Sequence, residues 1–385
     1  MIGSMNNLQQ KDVFQESQRS KQSVSKKSRS KRVTLQQVAD AAGVSRSAAS
    51  FVMTGRTDQR ISEATIKKVR KAAADLSYRP NLTAKTLRTG KSGTVGLVSD
   101  FIGTTSHANS MVMGALDVLR DKGKLLFTVD TQGDADVESK SIKALLDRQV
   151  DGVIYAAMFT REAKVPAVLR TVPTVLLNCL DETDDGRADS AFSSVVPDEY
   201  QAGCDASRLL LEAGHTDRIV FAGCFPEGVA GGVRWGSWGS WALPQRLQGI
   251  DDTLRLAGYE LFAHFEATEW EIDSGRTIAH QVLASCSRRD ELPTAIICVN
   301  DAVAFGMMQV LLSEGVRIPE DVSLISFDGS DWAAAMLPPI TTLRLPQLEM
   351  GSAAARMLLE QKEPAQRVRI SMPLIQGATV SSPRK

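Results

Sequence analysis

No stretch of this 385-residue chain approaches the roughly 18 uninterrupted apolar residues that a membrane-spanning helix needs. The opening segment MIGSMNNLQQKDVFQESQRS also lacks the apolar core of a secretion signal, so the sequence reads as cytoplasmic, with neither export nor a membrane partner expected. Cysteine is sparse and scattered: Cys179, Cys204, Cys224, Cys286 and Cys298 show no ligand spacing, and His107, His215, His264 and His280 are equally dispersed. Buried, reduced thiols are therefore expected, and no metal site. The phosphate-cradling P-loop, the GxSxG nucleophile elbow and the dinucleotide-binding GxGxxG are all missing. With no supporting spacing among the histidines either, the chain is expected to be no enzyme and to hold no cofactor. Apolar material is ample at 43% of residues, enough for two medium-sized cores and hence for more than one domain.

Net charge is absent as well, with 45 Lys and Arg against 45 Asp and Glu, but the balance conceals a segregation. Residues 1 to 92 hold 19 basic against 6 acidic side chains, so an equal acidic excess must fall between residues 93 and 385. A basic front end beside an acidic body suits a protein that docks one part on a polyanion and keeps the rest off it. Residues 1 to 32, ending in SKQSVSKKSRSKR, show no apolar periodicity. They are expected to be a disordered tail that adds nonspecific attraction to phosphate.

Between residues 33 and 78 the pattern tightens into three short helices. Leu35, Val38, Ala39 and Ala42 fall at helical spacing, and Gly43 supplies a tight turn. Ser45 can cap a second helix running to about Met53, packed through Ala48, Ala49 and Val52. Ser62 can cap a third to about Leu76, with Ile66, Val69 and Ala73 as its apolar stripe and Lys67, Lys68, Arg70 and Lys71 left for solvent or phosphate. Two helices joined through AGVS form a helix-turn-helix, whose second helix can present its first residues to a major groove. Those residues are Arg46 and Ser47. Arg46 carries the donor fork that matches guanine O6 and N7, although a phosphate is open to it too, and Ser47 can bond more than one base. Thr34, Ser45 and Ser50 suit phosphate positioning.

Residues 79 to 92 read as a linker with a short helix in it. Pro80 discourages continuation of the preceding helix, Asn81 can cap a new one, and Ala84, Lys85, Leu87 and Arg88 follow within two turns. A helix that short is not stable alone, which marks it as a segment that folds against DNA and a partner copy.

In this arrangement the sequence resembles the lactose-repressor (LacI/GalR) family of bacterial transcription regulators, over about residues 33 to 377. VTLQQVADAAGVSRSAASFVMTGR is similar to the family's headpiece, and RISEATIKKVRKAAADLSYRPNLTAKTLRTGKSGTVGLV to its third helix, hinge helix and entry to the core domain. DGVI, VPTVLLN, AGH, RLQG, PTAIICVNDAVAFG, VSLISFDGS and LPPITTLRLP followed by MG continue the match in order. The resemblance implies a repressor that binds a pseudopalindromic operator as a homodimer or dimer-based tetramer at the bacterial nucleoid, under control of a small effector such as a sugar or sugar derivative. It assigns base reading to Arg46, Ser47 and Ser50, and minor-groove contacts to the hinge residues Asn81, Lys85, Leu87 and Arg88, with Leu87 as an apolar wedge that kinks the duplex. Where the family commonly has TVSRV this chain has AASFV, so Phe51 stands in place of an arginine and Ala48 in place of a threonine. That puts a different operator sequence in prospect and leaves the scaffold untouched.

From Thr94 onward TVGLVS, KLLFTV, DGVIYA, PTVLLN, DRIVFAG, TAIICVN and VSLISF alternate with helical segments near residues 112–121, 137–147, 200–212 and 303–312. Near-continuous apolar strands between helices indicate parallel sheets covered on both faces. The expected architecture is α/β: a helix-turn-helix headpiece and hinge helix, then a body of two subdomains like a periplasmic binding protein. The resemblance implies a first subdomain of about residues 93–193 with 338–361, and a second of 194–337 with 365–385. Ligands of open parallel sheets bind beyond the carboxyl ends of the strands. Arg246 in RLQG, Asn300 after IICV and Asp328 after LISF hold such places, with Asp100 after the first strand and Trp332 as further effector candidates. Arg246, Asn300 and Asp328 can direct hydrogen bonds at hydroxyls, and Arg246 also suits a carboxylate or phosphate. Equally, Asn300 or Asp301 can cap the next helix and Asp328 can organise its own turn. The unusual segment GVAGGVRWGSWGSWALP, residues 228–244, carries Trp235, Trp238 and Trp241. These can close on a sugar face as an aromatic lid or pack on the subdomain surface or a neighbouring chain. A secreted solute-binding protein would share such a body, but the fused basic headpiece points to regulation.

Overall fold

The computed structural model describes residues 33–54, 61–80, 86, 89–103, 106–182, 191–226, 240–361 and 363–384. The chain divides into two units, residues 1–90 and 91–385. The basic N-terminal segment and the expected hinge contacts Asn81, Lys85, Leu87 and Arg88 lie outside the described residues, as do Trp235 and Trp238.

In the first unit, α1 (Leu35–Ala42) begins at Thr34, whose Oγ1 accepts from the Gln37 N–H while Gln37 Oε1 accepts from the Thr34 N–H. This reciprocal box satisfies two of the donors that a helix start leaves over. The helix stops at Gly43, whose φ of 64° is a left-handed conformation that a side chain would strain. α2 (Arg46–Thr54) follows at once, with Ser45 Oγ accepting from the Ala48 N–H at 3.1 Å. Ser62 does the same for α3 (Glu63–Asp75) through the Thr65 N–H. Val38, Ala39, Ala49, Val52, Val69, Ala72 and Ala73 close one small core among the three helices.

The second unit opens with β1 (Thr94–Ser99), α4 (Ser106–Asp121), β2 (Leu125–Asp130), α5 (Ala135–Asp147), β3 (Gly152–Ala163), β4 (Thr174–Asp181) and β5 (Ser193–Pro197). It continues with α6 (Glu199–Ala213), β6 (Ile219–Cys224), α7 (Ala242–Leu256), β7 (Ala263–Glu266), α8 (Ile272–Ala284), β8 (Ala295–Cys298), α9 (Asp301–Ser313) and β9 (Ser323–Asp328). β10 (Thr341–Arg344), α10 (Gln347–Glu360), β11 (Arg367–Ile370) and β12 (Leu374–Ile375) complete it. The strands build two sheets of six, ordered β11-β5-β4-β3-β1-β2 and β12-β10-β9-β8-β6-β7. Pairing is parallel except for β12 against β10. Each sheet reverses its winding once, between β1 and β3 and between β6 and β8, which opens a crevice at the carboxyl ends of those strands.

Burial on both faces explains the continuous apolar runs. Adjacent Leu97 and Val98 on β1 point into different cores, Leu97 among Met111, Leu119 and Leu358, and Val98 among Ile142, Leu145 and Leu169. Phe221, Ile297 and Phe327 centre the core of the second sheet.

The sheets redraw the subdomain boundaries expected from the sequence. β5 lies wholly in the first sheet, so the crossing comes after Pro197 and not at residue 193. β10 pairs with β9 in the second sheet, which removes residues 341–344 from the first subdomain, and β11 pairs with β5 in the first, which removes 367–370 from the second. Local periodicity marks the central strands but not the partner an edge will find. The three crossings are strapped together, Asp198 N–H to Ile370 O at 2.8 Å and Arg344 N–H to Pro373 O at 2.9 Å. Among the described residues no helix is long and apolar enough to cross a membrane.

Candidate nucleic-acid interface and ligand cleft

On the first unit, Ala49 and Val52 bury the inner face of α2 and leave Arg46 and Ser47, its first two residues, exposed. α2 has no acidic residue in its first turn, so nothing there opposes an approaching polyanion. Ser50 and Phe51 are half-buried on the same helix. Thr34 and Ser45 are exposed too, but their oxygens are engaged as helix caps, and the Thr34 hydroxyl bonds Gln37 Oε1 at 3.1 Å. Their phosphate contacts would come through the helix starts they organise. Lys67, Lys68, Arg70 and Lys71 are exposed along α3.

In the second unit, α6 and α7 approach backbone to backbone: a Cβ on Gly203 would overlap the Arg246 carbonyl, and one on Gly249 the Tyr200 carbonyl. This contact delivers Arg246 to Glu199. Arg246 Nε lies 2.5 Å and Nη2 3.2 Å from the Glu199 carboxylate, Nη1 donates to the Val299 carbonyl at 2.5 Å, and the guanidinium sits 4.4 Å from the centre of the Phe327 ring. Burial works to lower the Arg246 pKa, but the charge and hydrogen bonds of Glu199, reinforced by Asp328 and Asp301, outweigh it and hold the pKa above its ordinary value. Among the described residues three of the five N–H groups are engaged, one each on Nε, Nη1 and Nη2.

Asn300 caps α9, its Oδ1 accepting from the Val303 N–H at 2.9 Å, and its amide donates to the Trp270 carbonyl at 3.0 Å. Both ends of that side chain are thus engaged in structure. Asp301 is fully buried and accepts from Thr342 Oγ1 at 2.7 Å, the Ser330 N–H at 2.6 Å and Ser326 Oγ. It ties α9 to β9, to β10 and to the loop that leaves Asp328. Asp328 ends β9 with a left-handed φ of 101°, and its carbonyl accepts from the crossing residue Leu345 at 3.0 Å. A non-glycine residue held there is strained and marks a position the surrounding fold over-determines.

At the end of β1 in the first sheet, Asp100 is engaged within the protein: Oδ2 binds Arg161 Nη2 at 3.0 Å, and Oδ1 accepts from Phe101 and Met158 N–H groups, both at 2.9 Å. It orders the carboxyl ends of β1 and β3. Trp332 is 40% exposed and packs at a tilt on Phe305. Trp241 is the N-cap of α7, donating its backbone N–H to the Thr160 carbonyl of β3 at 3.2 Å.

Sequence reasoning missed Trp270 and Phe225, whose rings stack 4.7 Å apart beyond β7 and β6, with the Trp270 indole N–H held by the Gly223 carbonyl at 2.9 Å. It also missed Glu199 and Arg161, the partners of Arg246 and Asp100. The only signal for Trp270 was an aromatic at a strand-to-helix junction.

All five cysteines are free, but Cys224 and Cys286 are half-buried, short of the burial expected for every thiol. Burial pushes the Cys179 thiol up to about 12, and burial with nearby Glu266 and Asp251 pushes Cys224 up to about 11. Neither is a thiolate near neutral pH.

Comparison with known proteins follows the same division. Residues 34–81 match bacterial regulatory proteins of the lacI family, and residues 207–380 match the periplasmic binding protein-like domain. The chain thus carries a lacI-family DNA-binding domain ahead of a periplasmic binding protein-like domain. It is a DNA-binding transcriptional regulator. The chain is 27% identical over 332 residues to the ribose operon repressor of Escherichia coli strain K12, covering 85% of this chain and 92% of that one. It is 29% identical over 349 residues to the sucrose operon repressor of Escherichia coli, covering 89% and 98%. In fold, the regulator is similar to a lac repressor dimer bound to operator and an anti-inducer, with a TM-score of 0.71 at 23% identity over 91% of this chain and 99% of that one.

Proposed function

We propose that this regulator represses transcription by binding a pseudopalindromic operator as a dimer, and that a sugar or sugar derivative beyond the carboxyl ends of β6 and β8 controls it. The observation that carries the ligand reading is the stacked Phe225–Trp270 pair, held at Gly223, with Arg246 held at Val299 next to Gly223, at the reversal point of the second sheet. An aromatic face with a few directed hydrogen-bonding groups suits the apolar face and hydroxyl edge of a sugar. Arg246 offers its two remaining N–H groups and Asp328 a carboxylate. Asn300 acts by holding the Trp270 backbone, and Asp100 by holding Arg161. The relatives named as ribose and sucrose operon repressors support the same class.

Arg46 and Ser47 read base edges in the major groove, and Leu87, with Asn81, Lys85 and Arg88, completes the contact in the minor groove. Ligand binding changes operator affinity by favouring one arrangement of the two subdomains over the other. The reading is tested in two steps. Selection from randomised duplexes is expected to enrich an inverted repeat; absence of any enriched repeat counts against operator recognition. A thermal-shift panel of ribose, sucrose, glucose, gluconate and glucose 6-phosphate is expected to give a stabilising ligand whose effect is lost in Asp328→Asn and Trp270→Ala. An effect retained in both variants places the ligand elsewhere.

A further inference from the structure

We propose that Trp241 is a positioning residue that latches α7, the helix carrying Arg246, to the first subdomain. α7 belongs to the second subdomain: Leu243, Ile250 and Leu254 enter its core, and Gly249 packs on α6. Yet the N-cap residue of the helix is held by the other sheet. The Trp241 N–H donates to the Thr160 carbonyl on β3 at 3.2 Å, and the Trp241 ring lies 5.9 Å from the guanidinium of Arg369 on β11. β3 and β11 are both strands of the first sheet.

The start of a helix has N–H groups to dispose of, and at α7 the one on the N-cap residue goes to the first sheet. Ser240 Oγ takes the Leu243 N–H at 3.3 Å, and no side chain caps at Trp241. The acceptor is rigid. Thr160 is 4% exposed, its hydroxyl bonds Asn178 Oδ1 at 2.7 Å, and its neighbour Arg161 is paired with Asp100 at 3.0 Å. Arg246 follows Trp241 by five residues, about 7.5 Å along a stiff helix. Any motion that parts the subdomains at this point must break the Thr160 bond and the Arg369 contact together, and it carries Arg246 with α7.

The backbone bond survives any substitution at Trp241 other than proline, so the ring and Arg369 can be tested separately from it. A partly exposed cation–π contact shifts a latched-to-open ratio by about two- to five-fold. A contact that weak is reversible, as a latch over a ligand site must be. The consequence for the effector rests on the reading of Arg246 given above; the latch itself does not.

The test is hydrogen exchange on the full chain with no ligand added, comparing wild type with Trp241→Ala, Arg369→Ala and Trp241→Phe. Both alanine variants are expected to speed exchange about two- to five-fold in peptides spanning residues 158–163 and 240–246. Trp241→Phe, which keeps an aromatic face, is expected to retain most of the protection, and peptides from β6 and β8 to exchange at the wild-type rate. Wild-type exchange at both segments in both alanine variants overturns the latch. So does acceleration spread evenly through β6 and β8, which marks Trp241 as general packing. Because no ligand enters the experiment, failure of the sugar assignment leaves its outcome intact.

Discussion

Glu199 and Arg246, on two helices that touch through glycines, form an ion pair with side chains only 1% and 4% exposed. Removing two charges from water is expensive, and their attraction offsets the cost only because the geometry is two-pronged and the Val299 carbonyl takes a third N–H. The arginine that suits a ligand carboxylate in the bare sequence is already neutralised from within. That favours hydroxyl-bearing ligands over acidic ones at this point of the cleft.

A sharp consequence concerns stability. Arg246→Ala abandons a buried carboxylate and is expected to cost about 3–5 kcal/mol in urea unfolding. The double variant Glu199→Gln, Arg246→Met removes both charges and is expected to cost less than Arg246→Ala alone. A single-variant cost under about 1 kcal/mol would reject the buried pair as a structural element.

Arg46→Ala is expected to weaken selected-operator binding by about 1–3 kcal/mol and to relax preference at one base pair per half-site. Arg46→Lys keeps the charge but loses the fork, so it is expected to behave like alanine in specificity. Measured at several salt concentrations, a loss uniform across all duplexes with a shallower salt slope would instead assign Arg46 to phosphate.

Much of this was open to local reading. The caps at Thr34, Ser45 and Ser62 and the left-handed Gly43 are short-range chemistry, and the central strands announce themselves because both faces are buried. Pairings between distant residues were not legible. Glu199 meets Arg246 across 47 positions and Asp100 meets Arg161 across 61, and in the sequence Glu199 and Arg161 look like ordinary surface charges. β11 is an edge strand with alternating exposure, too short and too polar a run to be read as a strand from the sequence. Asn300 illustrates the opposite case: both a cap and a ligand contact suited the sequence, and the Val303 N–H and Trp270 carbonyl occupy its amide.

Stability should also carry a histidine signature. His215 is fully buried, with Nε2 2.9 Å from the Ser381 carbonyl and 3.1 Å from Ser323 Oγ, while Nδ1 has no hydrogen-bond partner among the described residues. Burial holds its pKa below the ordinary value, against a smaller opposing pull from the Ser381 carbonyl. Below about pH 6.5 the unfolded chain therefore takes up a proton that the folded one refuses. The contribution is complete above that pH and is lost as pH falls toward the lowered folded pKa. His215→Gln, which keeps an Nε donor, is expected to flatten the difference in urea midpoint between pH 7.5 and 5.5; a slope equal to wild type would show that other groups carry it.

The edge of the first sheet predicts the assembly. β2 has β1 on one side and exposes Leu125 by 61% and Phe127 by 45%, two residues apart and so on the same face. An apolar edge strand left open invites pairing with another chain, and proteins that keep one usually cover it. A pseudopalindromic operator requires two copies of the headpiece, so a second copy of this chain is the occupant expected there. Phe127→Glu places a charge at that seam and is expected to convert a dimer to monomer in sedimentation equilibrium. Operator binding should fall by about a hundredfold or more, because two half-sites no longer share one molecule. A Phe127→Glu protein that sediments as a dimer would move the interface away from β2.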